Sequence, residues 1–167
     1  MNIYPKDYLK HVTEITLEYL KDHNIKALLL DVDNTLIDYH KYLSEDIIAW
    51  AKGLKEQGII LHIVSNSNNQ KKIKKVADTL EIDYIFFASK PLKRGFQKAK
   101  EKVAYPCEEI AVVGDQIFTD ILGANRMGMY SILVDPITSK DIWATLLKRP
   151  LENYIKKKYL KNKYRRK

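Results

Sequence analysis

Five short apolar runs, at residues 27–30, 59–64, 84–87, 110–113 and 130–134, punctuate this chain. Each is separated from the next by one segment with apolar residues at helical spacing, near 44–56, 69–80, 95–103 and 119–127. This alternation constrains the fold more than any other feature of the sequence. Two strands joined through a helix cannot pair as a hairpin; the chain must cross over, which makes the strands parallel and covers both sheet faces with helices. Ser44 stands where the first of these helices needs an N-cap, and Gly58 and Gly128 suit C-terminal turns. A further amphipathic stretch at 12–22 precedes the first strand. Two basic helical patterns follow the last, one from Ser139 and one opened by Pro150. The expected class is α/β, a parallel sheet with helices on both faces.

At 167 residues the chain has the length of one domain, enough to bury roughly two thirds of its unfolded surface in a single core, and no repeat or low-complexity linker divides it. Its apolar runs fall far short of the roughly 20 residues that a membrane-spanning helix needs. The opening "MNIYPKDYLKH" lacks the apolar centre of a secretory signal, so a soluble, cytoplasmic protein is expected. The lone cysteine, Cys107, excludes an internal disulfide framework and argues against a zinc site. The formal charge of +8 is unevenly spread. From Lys148 onward ten basic residues and one acid carry +9, whereas the residues before them hold 19 basic and 20 acidic side chains, a net of −1. The chain therefore reads as a neutral domain, 1–148, followed by a basic amphipathic tail, 149–167, and that asymmetry concerns partners rather than fold.

In parallel sheets, ligands sit beyond the carboxyl ends of the strands. Asp31 and Asp33 follow the first run, Ser65 and Asn66 the second, and Lys90 comes just after the third. Gly114 and Asp115 follow the fourth, with Asp120 five residues beyond Asp115. Taken singly, each is an ordinary turn or cap residue. Gathered at one edge, they make a site of three or four carboxylates, a lysine and a hydroxyl, which suits a hard cation and a phosphoryl group. Asp31 and Asp33 are spaced so that strand geometry points both the same way. Two like charges that close repel, and burying either unpaired costs several kcal/mol, so the pair requires a shared positive partner.

The stretches "DVDNTL", "IVSNS", "SKPLKRGF" and "GDQIFTD", in that order, resemble the four motifs of the haloacid dehalogenase superfamily of phosphohydrolases. Within it the chain, over about residues 25–136, is similar to the small YqeG-type phosphatases of subfamily IIIA, which resemble the mitochondrial phosphatidylglycerophosphate phosphatase. The resemblance implies a Rossmann-like sheet whose five strands, numbered in chain order, lie 5-4-1-2-3. It implies Asp31 as the nucleophile that forms an aspartyl-phosphate, and Asp33 as the acid that protonates the leaving alkoxide and then the base that activates water. Mg²⁺ would be held by carboxylate oxygens of Asp31 and Asp115 and by the main-chain carbonyl of Asp33. Asp120 would lie behind these groups, orienting Lys90 or a bound water. Ser65, Asn66 and Lys90 would hold the phosphoryl oxygens, with Lys93 the rival for the lysine role.

Many relatives carry a cap domain after the first motif or between the second and third, and this chain has room for neither, so the site is expected to be open, with "LIDYHKY" as a partial flap. Capless relatives tend to act on large or surface-bound phosphates. The leading expectation is hydrolysis of phosphatidylglycerophosphate to phosphatidylglycerol, with the enzyme peripheral at the inner face of the membrane. The alternatives are a phosphatase for soluble sugar or nucleotide phosphates or nucleic-acid ends, and an RNA- or ribosome-binding module. Leu151, Tyr154, Ile155 and Tyr159 share one helical face of the tail. That face suits an anionic membrane, an RNA backbone or simple packing on the body.

Overall fold

The computed structural model describes residues 2–138 and 149–165. Six parallel strands form one sheet: β1 (Asp7–Leu9), β2 (Ala27–Leu30), β3 (Ile60–Val64), β4 (Asp83–Ile85), β5 (Ile110–Gly114) and β6 (Tyr130–Val134). Their order is β1-β6-β5-β2-β3-β4. The five expected strands therefore lie 5-4-1-2-3, and β1 adds a sixth at the outer edge, against β6. The fold class is α/β and Rossmann-like, with no inserted cap domain among the described residues.

The helices are α1 (Leu17–Asp22), α2 (Glu45–Glu56), α3 (Gln70–Leu80), α4 (Lys93–Val103), α5 (Leu122–Met127) and α6 (Arg149–Arg165). Strand periodicity sorts them into two layers. Leu28 and Leu30 of β2 and Ala111 and Val113 of β5 pack with α1, α2 and α3, whereas Ala27, Leu29, Ile110 and Val112 pack with α4 and α5. All four β2 residues are fully buried, as a central strand covered on both faces must be. Ser44 caps α2 by accepting from the Ile47 amide, and Asn69 does the same for α3 through the Lys72 amide. Gly58 and Gly128 adopt φ of 84° and 74° after α2 and α5, the left-handed turns a glycine makes without strain.

Besides β1, and the π-helical turn Ile117–Ile121 that opens the expected 119–127 helix, the structure departs from the sequence reading at further places. The stretch 12–22 is two pieces, a single 3₁₀ turn at Val12–Glu14 and α1, because Thr16 turns its hydroxyl onto the Tyr19 amide and starts a new helix. The third strand ends at Ile85, so Phe86 and Phe87 belong to the loop beyond it. The basic pattern that starts at Ser139 begins outside the described residues. The tail forms α6 but docks on a different face from the one that apolar spacing picks out. Ile155 is buried, Leu151 and Tyr154 are exposed, and Glu152 takes the inward place. The body supplies the reason, since it offers polar partners. Glu152 accepts from the Phe118 amide at 3.1 Å, Lys156 pairs with Asp135 over the Tyr8 ring, Tyr159 donates to the Lys6 carbonyl, and Lys163 pairs with Asp7. No helix among the described residues is long and apolar enough to cross a membrane.

Candidate active site

Register brings the site together. Leu30 lies opposite Ile63 of β3 and Val113 of β5, so Asp31, Ser65 and Asp115 leave three adjacent strands at the carboxyl edge of the sheet. The Asp31 amide extends the ladder by donating to the Val113 carbonyl at 2.9 Å. The two-residue period that turns Ala27 and Leu29 toward α4 and α5 turns Asp31 the same way, to the side that carries Lys90 and Asp120. Beyond it the chain folds back sharply. The amides of Thr35, Leu36 and Ile37 all donate to the Val32 carbonyl, and Asn34 takes φ of 60°, which asparagine tolerates better than most residues. The Asn34 carbonyl oxygen Oδ1 accepts from the amide and hydroxyl of Thr138, at 3.2 and 2.9 Å, fixing this turn to the segment after β6.

Lys90 ties the pieces to one another. Its Nζ donates to Asp31 Oδ1 at 2.7 Å and to Asp120 Oδ1 at 2.6 Å, and its side chain is 2% exposed. Burial alone would depress the lysine, but the Asp120 and Asp31 carboxylates outweigh it and hold the pKa above the ordinary lysine value. Asn66 clamps the same residue from outside. Its Oδ1 accepts from the Lys90 amide at 2.6 Å and its Nδ2 donates to the Lys90 carbonyl at 2.9 Å, so both polar ends of Asn66 are engaged with Lys90's backbone. Lys93, by contrast, opens α4 and is exposed. Ser65 is buried, with Oγ accepting from the Ser67 amide at 3.1 Å.

Asp120 projects from a wide π-helical turn, Ile117–Ile121, of the kind that concentrates at functional sites. Its Oδ2 accepts from the Gln116 amide at 3.2 Å. Space for that carboxylate exists because residue 114 is glycine: a Cβ there would lie 2.3 Å from the Asp120 carboxylate. Gly114→Ala is therefore expected to displace Asp120 and lower kcat/KM by about a hundredfold or more. Overpacking of this kind costs only about 1–3 kcal/mol in stability, so thermal melts should still show a cooperative fold.

Oxygen atoms of Asp31, Asp115 and Asp120 lie within 4.8 Å of one another, and all three residues are buried. Of these carboxylates, Asp31 and Asp120 share the one Lys90 ammonium. Burial pushes Asp31 up to about 7. Lys90 opposes that rise, while Asp120 and Asp33 reinforce it. An all-oxygen, electronegative donor set fits a hard divalent cation such as Mg²⁺.

Asp33 is partly exposed and meets a partner that the sequence did not single out. Lys72 Nζ, from the first turn of α3, donates to both of its carboxylate oxygens, at 2.6 and 2.8 Å. Above the site the loop after motif one is short. Ile37 bridges Leu43, and the Tyr42 amide donates to Asp38 Oδ1 at 2.9 Å, leaving Tyr39 and Tyr42 exposed at the tip of a small flap.

Comparison with known proteins adds three findings. A sequence model of the family described as mitochondrial PGP phosphatase matches residues 1–138. The chain is 38% identical over 152 residues to the probable phosphatase YqeG of Bacillus subtilis, a span covering 90% of this chain and 88% of that protein. Its fold is similar to an uncharacterized protein from Listeria monocytogenes (TM-score 0.57, 20% identity, 71% and 85% of the two chains) and to a HAD phosphatase from Thermococcus onnurineus (TM-score 0.51, 22% identity, 60% and 50%).

Proposed function

Since the chain belongs to the mitochondrial PGP phosphatase family, a YqeG-type branch of the haloacid dehalogenase phosphatases, we propose that it hydrolyses phosphatidylglycerophosphate to phosphatidylglycerol with Mg²⁺ as cofactor. The observation that carries this reading is the buried cluster of Asp31, Lys90, Asp115 and Asp120 at the uncapped carboxyl edge of the sheet. In it the Asp31 carboxylate, oriented by Lys90, attacks phosphorus. The new bond joins an Asp31 oxygen to phosphorus, the ester bond to the leaving alkoxide breaks, and Asp33 delivers the proton the alkoxide needs. Water then displaces Asp31 from the aspartyl-phosphate while Asp33 takes up its proton, which frees inorganic phosphate, restores the Asp31 carboxylate and returns Asp33 to its protonated form. Ser65 and Lys90 hold the phosphoryl oxygens, and Asn66 acts by fixing Lys90's backbone. Lys72 keeps Asp33 in place until substrate arrives; Asp33 then leaves that ion pair, takes a proton from solvent and carries it to the ester oxygen. Mg²⁺ would be held by Asp31, Asp115 and the Asp33 main-chain carbonyl, with Asp120 in reach, and when bound it neutralises charge on the phosphoryl group.

In this reading the domain 1–148 carries the chemistry of a cytoplasmic enzyme, and the tail, 149–167, gives it electrostatic attraction to the inner face of an anionic membrane. The test is a substrate comparison with metal control. Chelation is expected to abolish hydrolysis and Mg²⁺ to restore it, with Ca²⁺ restoring little because its looser shell leaves the reacting groups misaligned. Phosphatidylglycerophosphate in vesicles should be hydrolysed with kcat/KM at least about tenfold above soluble sugar phosphates. Full activity in excess chelator would overturn the metal assignment, and a preference for sugar phosphates would overturn the lipid one.

A further inference from the structure

The loop that follows β4, taken with the first two residues of α4 as residues 86–94, reads "FFASKPLKR" and carries Lys90 at its centre. It presents three large apolar side chains to solvent: Phe87 is 66% exposed, Leu92 57%, and Phe86 also stands out. This exposure is built in. Phe87 and Ser89 both hold left-handed backbone, φ 50° and 59°, a conformation that is strained for residues other than glycine. The loop is pinned in that shape, because the Phe87 amide donates to the Ser67 carbonyl and the Ala88 amide to the Ser65 carbonyl, each at 2.9 Å. From beneath, α4 packs so closely that a Cβ at Gly95 would lie 2.4 Å from the Ala88 carbonyl oxygen. One backbone thus does two things: it buries Lys90 against Asp31 and holds Phe87 outward.

Charge identifies what covers the patch. The loop has three basic residues and no acid; Lys93 and Arg94 are exposed beside Leu92, and Lys71 is exposed at the start of α3. Aromatic and aliphatic side chains set among cations are the composition of segments that lie at the headgroup boundary of an anionic bilayer. The tail is a weaker candidate for orienting the enzyme, since Lys156 and Lys163 are already paired with Asp135 and Asp7.

We infer that the 86–94 loop is the surface that seats this enzyme on an anionic bilayer, with Phe86, Phe87 and Leu92 entering the headgroup region and Lys93 and Arg94 meeting lipid phosphates. The inference rests on the lipid-phosphate reading of the site. It adds that the seating element and the phosphate-holding lysine are one rigid loop, so docking presents the pocket to the bilayer. The test uses the full chain, sedimented with phosphatidylglycerol/phosphatidylcholine vesicles and with pure phosphatidylcholine vesicles. A Phe87→Ser/Leu92→Ser variant is compared with wild type and with a Lys157→Gln/Lys158→Gln variant. Wild type should pellet with the anionic vesicles, less so as salt rises, and not with phosphatidylcholine. The loop variant should bind at least about tenfold more weakly and keep kcat/KM on a soluble aryl phosphate within about twofold, while the tail variant loses less. Vesicle binding by the loop variant equal to wild type, or wild type that binds RNA and ignores vesicles, would overturn the inference. Anionic-vesicle binding lost in the loop variant, with no hydrolysis of lipid phosphate by wild type, would uphold the seating surface and remove the substrate reading. Lipid hydrolysis with binding unchanged in the loop variant would do the reverse.

Discussion

Asp31→Asn is expected to lower kcat/KM on every phosphate ester by a thousandfold or more, at least about 4 kcal/mol of barrier, with the protein still folded. An amide cannot attack phosphorus, yet its carbonyl oxygen still accepts from Lys90, so the geometry of the cluster is preserved. Steady-state kinetics on a lipid and an aryl phosphate, with circular dichroism as the control for folding, provide the check. Activity within tenfold of wild type would remove Asp31 from the nucleophile's role.

The largest stability effect should come from the other side of the same hydrogen bond. Lys90→Met leaves Asp31 and Asp120 buried without their ammonium, and removing one partner of a buried ion pair costs about 3–5 kcal/mol. For a chain of this size that corresponds to a drop in Tm of roughly 6–20 °C. A divalent cation supplies the missing charge, so Mg²⁺ should raise the variant's Tm by more than it raises that of wild type. Melting curves in chelator and in excess Mg²⁺ measure both quantities. Equal melting temperatures for variant and wild type in chelator would mean that Lys90 does not balance the cluster.

The parts of the fold and site carried by local pattern were legible in the sequence. Strand β2 declares itself by four consecutive buried aliphatic residues, and α2 and α3 by apolar spacing together with Ser44 and Asn69. Once the strands are parallel, their carboxyl ends must share an edge, which is why Asp31, Ser65, Lys90 and Asp115 could be assembled without coordinates. What stayed hidden depends on tertiary neighbours. Strand β1 is three half-buried residues in a polar stretch, and it is a strand only because β6 offers an edge. Lys72 is one of four lysines in α3, and nothing in its spacing separates it from Lys71 until the helix is placed beside Asp33. Glu152 displaces Leu151 from the buried face of α6 because the Phe118 amide needs an acceptor, a demand invisible to hydrophobic periodicity. Asn66 was legible as a site residue, but its two hydrogen bonds to Lys90's backbone follow from the fold alone.

The pairing of β1 with β6 also sets an order of events at the ribosome. Lys6 donates to Ser131 across 125 positions, so the first strand made has no partner until the last strand of the sheet is translated, roughly 6–25 s later at ordinary rates of synthesis. Helix α6, whose Lys163 and Tyr159 close over Asp7 and Lys6, arrives later still. Throughout that interval β1 has no partner strand, and its unpaired backbone is an open template for another chain. Slow translation between β1 and β6 would lengthen that exposure. The basic helix closes over that late-made pairing last, with Lys163 on Asp7 and Tyr159 on Lys6, so the edge of the sheet is finished only when the end of the chain has folded.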